Sequence, residues 1–423
     1  MKIKTKNVSY EYAMSLKPLA KKRPLRPNIL FRTLIRVISI FDLLATRFSY
    51  TQSRMEEAGK GPYLILMNHS SFIDLKIAYK IFYPHAFCTV STLDSFVGKR
   101  WLMRQIGCIP TQKYVTDIKL ITDMLHTLHK KKTSVLMYPE AGYSFDGTAT
   151  ALPRKLGTLL KKLNVPVLTV ITDGAFLREP LYNCLQKRKV KVSAHLNCLL
   201  TKEDIAKKSV QELDDILDNA FSFDNFKKQL ESKTIVDEPF RADGLNRILY
   251  RCPSCNAESQ MEGSGTTLTC KCCNKTYEMD VYGQLNAKNG ETEFSHIPDW
   301  YRWERDCVRE ELLANSYNQS LEVDIGVLVN HKALYMIGSG TLTHNRDGFH
   351  LVGCDGKLDY TQSPTASFSL NADYFWYEIG DVISIGDKNR LFYCFPKNPD
   401  VVTKARLAHE ELYKIIKNKT INA

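Results

Sequence analysis

Apolar runs alternate with amphipathic helical stretches from residue 60 to about residue 200. The apolar runs lie at residues 63–68, 134–140, 165–172 and 189–196, and the helical stretches at 74–82, 95–107, 117–132 and 151–164. Strands that are apolar throughout and connected by helices are typical of parallel sheets covered on both faces. The alternation therefore predicts an α/β domain, with a largely parallel sheet flanked by helices, over residues 49–240.

Positive charge is concentrated at the start of the chain. The 423 residues carry a net charge of +12, and the first 60 of them hold 13 Lys and Arg against 4 Asp and Glu, a net charge of +9. A cationic arm indicates an anionic partner, either a nucleic acid or a membrane surface.

The stretch NILFRTLIRVISIFDLLATRF, residues 28–48, has its polar residues at helical spacing on one narrow stripe. Four charges interrupt it, and its longest run without a charge is far shorter than the roughly 18 residues that a membrane span requires. We interpret residues 1–48 as a basic arm followed by an amphipathic membrane-interface helix whose arginines face lipid phosphates. The alternative is a helix packed into its own domain. Because the first 20 residues show no signal-peptide pattern, we expect a cytoplasmic protein, peripheral on the inner face of the cell membrane.

Five cysteines are grouped in the stretch RCPSCNAESQMEGSGTTLTCKCCNKTYEMD. Cys252 and Cys255 form one C-x-x-C pair and Cys270 and Cys273 a second, which is typical of a zinc ribbon with four thiolate ligands. We predict a structural zinc site over residues 248–288, with Cys272 as the alternative to Cys273. An iron–sulfur centre and a redox pair are the other options. The module has few basic residues, so we expect no nucleic-acid partner.

Short β-like runs with turn signals follow a predicted helix at residues 297–315. These runs lie at 320–330, 333–338, 340–344, 349–353, 367–370, 374–379 and 391–396, before a final helix at 401–418. A β-meander closed by one long helix is the layout of a PH-like domain, which we predict for residues 295–423. It is expected to bind lipid headgroups, bind a protein partner, or only pack against the rest of the chain.

The stretch LILMNHSSFIDLK, residues 64–76, places a histidine where a buried strand ends. If Ser71 is the N-cap of the following helix in a capping box with Asp74, then His69 lies in the loop and Asp74 in the first helical turn. The two side chains can then meet at the sheet edge where open α/β sheets bind ligands. A histidine oriented by a carboxylate is a general base. The alternative is that Asp74 only caps the helix and His69 is a structural loop residue.

Four sequence blocks resemble those of the glycerolipid acyltransferases, the 1-acylglycerol-3-phosphate acyltransferase family. NHSSFID resembles the NHxSxxD block, and YPEAGYS resembles the FPEGTRS block. IGCIPTQK resembles the block in which a basic residue follows a glycine six residues later. VPVLTV resembles the block that contains a proline, here Pro166. The blocks occur in the family's order, over roughly residues 25–235. The resemblance implies that the α/β domain is an acyltransferase domain.

The resemblance also implies roles for single residues. His69 and Asp74 would be catalytic, with His69 removing the proton of an acceptor alcohol and Asp74 orienting the imidazole. Glu140 would position the acceptor or the loops, or serve a purely structural role. The residues expected to bind substrate are Asn68, Ser70, Gly107, Lys113, Pro139, Glu140 and Tyr143.

Two departures affect the acceptor site. Tyr143 stands where the family has an arginine that is expected to hold the acceptor phosphate. Lys113 replaces a second arginine, so the positive charge remains but the two-pronged guanidinium contact with a phosphate is lost. Arg104, Arg154 and Lys155 are candidate replacements, although each is also typical of solvated surface.

The function implied is transfer of an acyl chain from acyl-CoA or acyl-ACP to the hydroxyl of a lysophospholipid such as 1-acylglycerol-3-phosphate. Membrane lipids, a lysolipid acceptor and acyl carrier protein are the expected partners, and zinc is the expected structural metal. Two alternatives remain: acyl transfer to a phosphate-free aminolipid or glycolipid, and a catalytically inactive membrane scaffold.

Overall fold

A computed structural model describes residues 2–18, 22–113, 117–153, 155–387, 389–398 and 400–421. The described chain forms three β-sheets, one in each of the regions predicted as the α/β domain, the cysteine module and the C-terminal domain. Within those residues, no helix combines the length and apolar character that crossing a bilayer requires.

The amino-terminal part holds one short strand and two helices, which are β1 (Thr5–Asn7), α1 (Tyr10–Ser15) and α2 (Ile29–Ala45). Strand β1 pairs in parallel with the later strand over Leu334–Met336. The prediction of a separate basic arm over residues 1–48 is therefore wrong for its first residues, which belong to the C-terminal sheet. The sequence Thr-Lys-Asn has no apolar alternation, so no pattern marked this strand.

The α/β domain contains seven strands and the helices between them. The strands are β2 (Ser49–Ser53), β3 (Leu64–Met67), β4 (Phe87–Thr92), β5 (Cys108–Thr111), β6 (Ser134–Met137), β7 (Val167–Asp173) and β8 (Ser193–Leu200). The helices are α3 (Ile73–Phe82), α4 (Arg100–Gln105), α5 (Ile118–Leu125), α6 (Leu156–Leu163) and α7 (Ala175–Arg178).

The sheet of this domain has the strand order β2-β8-β7-β3-β6-β4-β5. All neighbouring pairs are parallel except β7 with β8, so the prediction of a largely parallel sheet is confirmed. Strand β3 lies at the centre, between β7 and β6. All four of its residues are buried because helices cover both faces of the sheet.

Strands β2, β4 and β5 were not predicted. Strand β2 is polar and exposed at the sheet edge, so it has no apolar run to mark it. The predicted helix at 95–107 is only the short helix α4, preceded by a 3-10 turn over Leu93–Phe96. Gly98 separates the two with a φ of +70°, a conformation that ends regular helix.

Three further helices follow the sheet. They are α8 (Lys202–Lys207), α9 (Val210–Ala220) and α10 (Asn225–Glu231). Helix α9 packs against α6, and its Asp214 accepts hydrogen bonds from the backbone N–H groups of Gly157 (2.6 Å) and Lys155 (3.0 Å) at the start of α6. A carboxylate at a helix N-terminus stabilises that helix.

The cysteine module is a four-stranded antiparallel sheet in the order β12-β11-β10-β9. Its strands are β9 (Met261–Ser264), β10 (Thr267–Cys270), β11 (Thr276–Met279) and β12 (Leu285–Ala287). The C-terminal domain then begins with α11 (Ile297–Leu313), which confirms the helix predicted there.

The C-terminal sheet contains a four-stranded and a three-stranded meander, joined where β13 pairs with β19. The strands are β13 (Gln319–Leu328), β14 (Leu334–Asn345), β15 (Gly348–Gly353), β16 (Leu358–Gln362), β17 (Asn371–Trp376), β18 (Gly380–Gly386) and β19 (Leu391–Pro396). The two runs predicted at 333–338 and 340–344 are one strand. The run at 367–370 is not a strand, and β16 and β18 were missed.

Helix α12 (Val402–Ile421) completes the domain. It confirms the final helix predicted from the sequence, and Ala405, Ala408, Leu412 and Ile415 on one of its faces are all buried. The sequence predicted one β-meander closed by a long helix, whereas the structure has two meanders and that helix, and the assignment to the PH-like class stays a prediction.

Helix α2 turns its polar stripe toward the protein. Arg32 is buried and donates to the carbonyl of Pro84 (2.6 Å), and Asp42 forms ion pairs with Lys76 and Arg178. The prediction that the helix arginines face lipid phosphates is therefore wrong for Arg32. A buried guanidinium needs hydrogen-bond acceptors, and the end of α3 supplies one.

The opposite face of α2 is apolar and faces outward. Leu30 is 75% exposed and Phe41 is 77% exposed. The other exposed apolar residues of the helix are Ile29, Leu34, Val37, Ile38, Ile40 and Leu44. A contiguous apolar surface of this kind marks an interaction site.

Candidate active site and cysteine centre

His69 lies in the loop that joins the central strand β3 to helix α3, and Asp74 is the second residue of that helix. The Nδ1 atom of His69 is 3.0 Å from Oδ2 of Asp74. The same oxygen accepts hydrogen bonds from the backbone N–H groups of Ser70 (2.8 Å) and Ser71 (3.1 Å). A carboxylate only accepts, so Nδ1 donates to it and Nε2 is left as the basic nitrogen.

The capping box predicted at Ser71 is wrong. Helix α3 begins at Ile73, and Phe72 occupies the N-cap position in a helical conformation. The Oγ atom of Ser71 accepts a long hydrogen bond from the N–H group of Ile73 (3.4 Å). The carboxylate of Asp74 points toward the preceding loop, because Nδ1 of His69 and the backbone N–H groups of Ser70 and Ser71 all donate to it there. That arrangement still gives the predicted meeting of His69 and Asp74.

Two tyrosine rings enclose the imidazole of His69. Tyr138 and Tyr143 stack on its two faces, each with ring centroids 4.0 Å away and with interplanar angles of 20° and 27°. The histidine side chain is 22% exposed, whereas the carboxylate of Asp74 is 1% exposed. The imidazole is therefore held in one plane with one edge on the buried carboxylate. Tyr138 was not among the predicted site residues, although it begins the YPEAGYS block.

The surroundings of His69 favour its neutral form. Burial lowers the pKa of His69 below its ordinary value, the positive charge of Lys113 acts in the same direction, and Asp74 opposes both. A neutral imidazole with Nε2 unprotonated is the form that accepts a proton.

Glu140 links two loops of the site. It is buried, its Oε1 accepts from the backbone N–H of His69 (3.2 Å), and its Oε2 accepts from the N–H and the hydroxyl of Thr150 (both 3.1 Å). Burial raises the pKa of Glu140 to about 7. Because these partners all belong to the protein, the geometry favours the structural role that the sequence left open. Pro139 is buried beside it.

Ala141 has a φ of +58°, in the left-handed region. The FPEGTRS block has a glycine at this position, and glycine adopts that conformation without steric cost. The chain keeps the loop geometry with an alanine, at a cost of about 1 kcal/mol.

Asn68 and Ser70 are buried and hold the loop to strand β7. The side-chain Oδ1 of Asn68 accepts from the N–H of Thr172 (2.8 Å), and its Nδ2 donates to the carbonyl of Thr172 (3.3 Å) and to Oγ of Ser70 (3.2 Å). These bonds fix the end of β3 against the end of β7. The substrate-binding roles predicted for both residues stay predictions that their internal bonds do not favour.

Gly107 and Lys113 lie at opposite ends of strand β5. Gly107 has a φ of +82°, and a Cβ atom added there would lie 2.4 Å from Cγ of Pro27, so the glycine is required for the packing of the amino-terminal segment. Lys113, by contrast, is close enough to affect the ionisation of His69. Of the proposed replacement cations, Arg154 lies outside the described residues.

The C-terminal domain reaches the same loop. Nη1 of Arg406, in α12, donates to the carbonyl of Tyr143 (3.4 Å), and its guanidinium lies 4.2 Å from the ring centroid of Phe145. The ring of Phe145 in turn lies 4.3 Å from that of Tyr374 in β17. The loop that covers His69 is therefore held by residues more than 200 positions later in the sequence, which no sequence pattern indicated.

Asp373, the neighbour of Tyr374, brings a second buried carboxylate to this region. Burial raises its pKa to about 6, an effect that Lys113 opposes. No hydrogen-bond partner within the described residues lies near its buried Oδ1 atom. Lys113 thus acts electrostatically on both His69 and Asp373.

The four predicted zinc ligands meet at one point. The Sγ atoms of Cys252, Cys255, Cys270 and Cys273 all lie within 4.8 Å of one another. The distances Cys252–Cys273 and Cys255–Cys270 are both 3.7 Å. With Zn–S bonds of about 2.3 Å, the edges of a regular tetrahedron of sulfurs are about 3.8 Å long. The donor set therefore fits one tetrahedral zinc ion.

Two matching turns present the cysteines. In each, the N–H of an asparagine after the second cysteine donates to the carbonyl of the first: Asn256 to Cys252 and Asn274 to Cys270, both at 2.9 Å. Both asparagines are left-handed, with φ values of 61° and 60°. In the two turns, Cys273 occupies the position equivalent to Cys255, so Cys273 is the ligand and Cys272 is not one of the four. The sequence alone had left that choice open.

Comparison with known proteins identifies the class of the first domain. Residues 47–173 match the family model described as Acyltransferase. The matched segment includes His69, Asp74, Glu140 and Tyr143. The similarity to acyltransferases therefore covers this segment, and the match does not extend to the cysteine module or the C-terminal sheet.

Two individual proteins are similar to the chain. A 1-acyl-sn-glycerol-3-phosphate acyltransferase of Saccharomyces cerevisiae is 28% identical over 178 residues, which cover 38% of this chain and 57% of the yeast protein. The crystal structure of the 1-acyl-sn-glycerophosphate (LPA) acyltransferase PlsC from Thermotoga maritima aligns with a TM-score of 0.34 and 17% identity, over 45% of this chain and 76% of PlsC. The chain thus spans little more than half the length of the yeast relative.

The cysteine centre leads to a test by metal analysis. We expect the purified protein to hold one zinc ion per chain and Cys252→Ser to lose it, with a lower melting temperature because zinc binding contributes folding free energy. Cys272→Ser is the matched control and should keep the metal. Elemental analysis and thermal unfolding measure both. A visible iron–sulfur absorbance, or equal metal loss in Cys272→Ser, would contradict the assignment.

Proposed function

We propose that the protein is a membrane-associated O-acyltransferase. It moves a fatty acyl chain from acyl-CoA or acyl-ACP to the hydroxyl of a lysophospholipid such as 1-acylglycerol-3-phosphate. The observation that carries the proposal is the contact between His69 and Asp74 at the end of the central strand, inside the segment that matches the acyltransferase family. The activity named for the yeast relative supports the choice of a glycerolipid acceptor.

In the proposed reaction, Nε2 of His69 takes the proton of the acceptor hydroxyl as its oxygen attacks the thioester carbonyl. The tetrahedral intermediate then collapses, the C–S bond breaks, and the departing thiolate receives the proton from the imidazolium. Asp74 stabilises the imidazolium and fixes the tautomer. Tyr138 and Tyr143 hold the ring in the plane that Asp74 requires.

The outward apolar face of α2 supports membrane association. Its exposed side chains are large and contiguous, and the residues before it are cationic. Such a helix lies in the interface with its apolar face among the acyl chains. We therefore place the protein on the cytoplasmic face of the cell membrane, where both the lysolipid and the acyl product reside. The zinc ribbon is structural, and the C-terminal domain is PH-like.

A second candidate function is acyl transfer to a phosphate-free acceptor, such as a lyso-aminolipid or glycolipid. Tyr143 replaces the arginine expected to bind phosphate, and its ring is stacked on His69. The remaining cation, Lys113, is partly offset by the carboxylate of Asp373. A carboxylate near the acceptor site favours an amine or a hydroxyl over a phosphate.

The catalytic assignment is tested by His69→Ala. We expect thiol release from acyl-CoA in the presence of lysolipid to fall by about 10²- to 10⁴-fold, the usual contribution of a general base. His350→Ala is the matched control, because His350 forms an exposed pair with Asp359 (2.9 Å) and should keep full activity. If His69→Ala releases thiol at the rate of the unchanged protein, the inactive-scaffold alternative is favoured.

The pH dependence follows from the lowered pKa of His69. Its neutral form should predominate at pH 7, so kcat/KM should be level near neutrality and fall in acid, with a midpoint below the ordinary value of about 6.5. Lys113→Gln should move this midpoint upward because it removes a charge that disfavours the imidazolium. Glu140 has a pKa of about 7 and could also titrate in this range. The pH profile of kcat/KM is therefore also measured in Glu140→Gln, where the midpoint assigned to His69 should persist. A midpoint that vanishes in Glu140→Gln would assign the titration to the carboxyl group.

Acceptor specificity is tested with paired lysolipids that carry or lack phosphate. If the acceptor has a phosphate, Lys113→Gln should raise its KM about tenfold or more, the value of one hydrogen bond to a charged group. If the acceptor is an aminolipid, Asp373→Asn should have that effect instead. Lys119→Gln is a control, since Lys119 is paired with Asp123 on α5. Turnover of the phosphate acceptor that is insensitive to Lys113 would contradict a phosphate contact there.

A further inference from the structure

A small cleft that opens to solvent lies between the amino-terminal segment, the acyltransferase domain and the C-terminal domain. Its lining residues are Lys22, Arg23, Pro24, Phe96, Arg100, Arg104, Cys108, Pro110 and His331. We propose that this cationic cleft binds the phosphate headgroup of an anionic membrane lipid, one that is not the acyl acceptor. The proposal rests on the membrane association in the proposed function and adds a specific lipid site to it.

Four cations from two distant parts of the sequence converge on the cleft. Lys22 and Arg23 come from the segment before α2, and Arg100 and Arg104 come from α4. Residues four apart on a helix lie on one face, so the two arginines point to the same side of α4. None of the described lining residues is an aspartate or a glutamate, so the four charged side chains of the lining are all cationic.

The walls of the cleft are apolar and fixed. Phe96 is buried and its ring lies 5.6 Å from that of His331. The N–H of Gly98 donates to the carbonyl of His331 (2.9 Å), which attaches the C-terminal domain at this edge. Low-dielectric walls strengthen the attraction between the cations and an anion in the cleft. Planar guanidinium groups match the geometry of phosphate oxygens.

The apolar membrane-facing surface adjoins the cleft. Trp101, between the two arginines of α4, is 66% exposed, and its ring packs edge-on against Phe31 of α2 at 5.6 Å. Exposed apolar side chains of α2 continue this surface. A lipid provides both an anionic phosphate for the cleft and acyl chains for that surface. A soluble phosphate would use only the first, so the continuity of the two surfaces favours a lipid.

The test is vesicle binding by the full-length protein. Neutral vesicles of phosphatidylcholine are compared with vesicles that also contain phosphatidylglycerol, by co-sedimentation and by the tryptophan emission of the protein. We expect Arg100→Gln/Arg104→Gln to weaken binding to the anionic vesicles by about 30-fold, roughly a factor of five per basic residue, and to leave binding to the neutral ones unchanged. Arg302→Gln/Arg346→Gln removes the same charge elsewhere and should bind like the unchanged protein.

Three results would overturn the proposal. The first is equal anionic-vesicle binding by Arg100→Gln/Arg104→Gln and the control. The second is loss of inorganic phosphate binding in that variant without a loss of vesicle binding, which assigns the cleft to a soluble anion. The third is a tenfold rise in the KM of Arg100→Gln/Arg104→Gln for a detergent-dispersed phosphate acceptor. That result would make the cleft the acceptor site.

Two further variants serve as controls for folding and for catalysis. Arg100→Lys/Arg104→Lys keeps the charge and should retain most of the vesicle binding, which separates loss of charge from misfolding. His69→Ala should bind anionic vesicles normally even though it lacks turnover. Vesicle binding therefore tests the lipid site even if the acyltransfer proposal fails.

Discussion

The carboxylate of Asp74 is the point from which the candidate site is organised. It is almost fully buried, and one of its oxygens receives three donors: the imidazole of His69 and two backbone N–H groups of the preceding loop. A buried charge is tolerated only when it is hydrogen-bonded in this way. Those same bonds set the loop conformation, the start of helix α3 and the orientation of the imidazole. The tyrosines, Glu140 and Arg406 then fix the surrounding loops around a ring whose position Asp74 determines.

The orientation of α2 supports the membrane association that we propose. Its polar stripe is directed inward, where Arg32 and Asp42 find partners on other helices, and its apolar residues are directed outward. In a protein exposed only to water this arrangement would cost free energy, because large apolar side chains contact solvent. It becomes favourable when the outer medium is itself apolar. The adjoining cationic cleft and Trp101 belong to this same surface, so the membrane contact and the charge of the amino-terminal segment have one structural explanation.

The sequence predicted the parts of the fold that depend on local patterns. The apolar run of β3, the spacing of the cysteine pairs and the final helix α12 each carry a periodic or motif signal, and each was confirmed. The meeting of His69 with Asp74 was also predicted, although through a capping box that the structure does not contain. What could not be predicted depends on distant contacts. Strand β1 is polar and gains its structure from β14, while Tyr143 is held by Arg406, far away in the chain. The inward direction of Arg32 likewise depends on the carbonyl of Pro84.

The pairing of β1 with β14 also constrains the order in which the protein can be completed. Thr5 pairs with Leu334, which is synthesised roughly 15 s to a minute later at typical translation rates. Until then the amino-terminal segment has no sheet to join, and the exposed apolar helix behind it is free to meet a bilayer. Association with the membrane can therefore precede closure of the last sheet, so that the chain finishes folding at the surface where we propose it works.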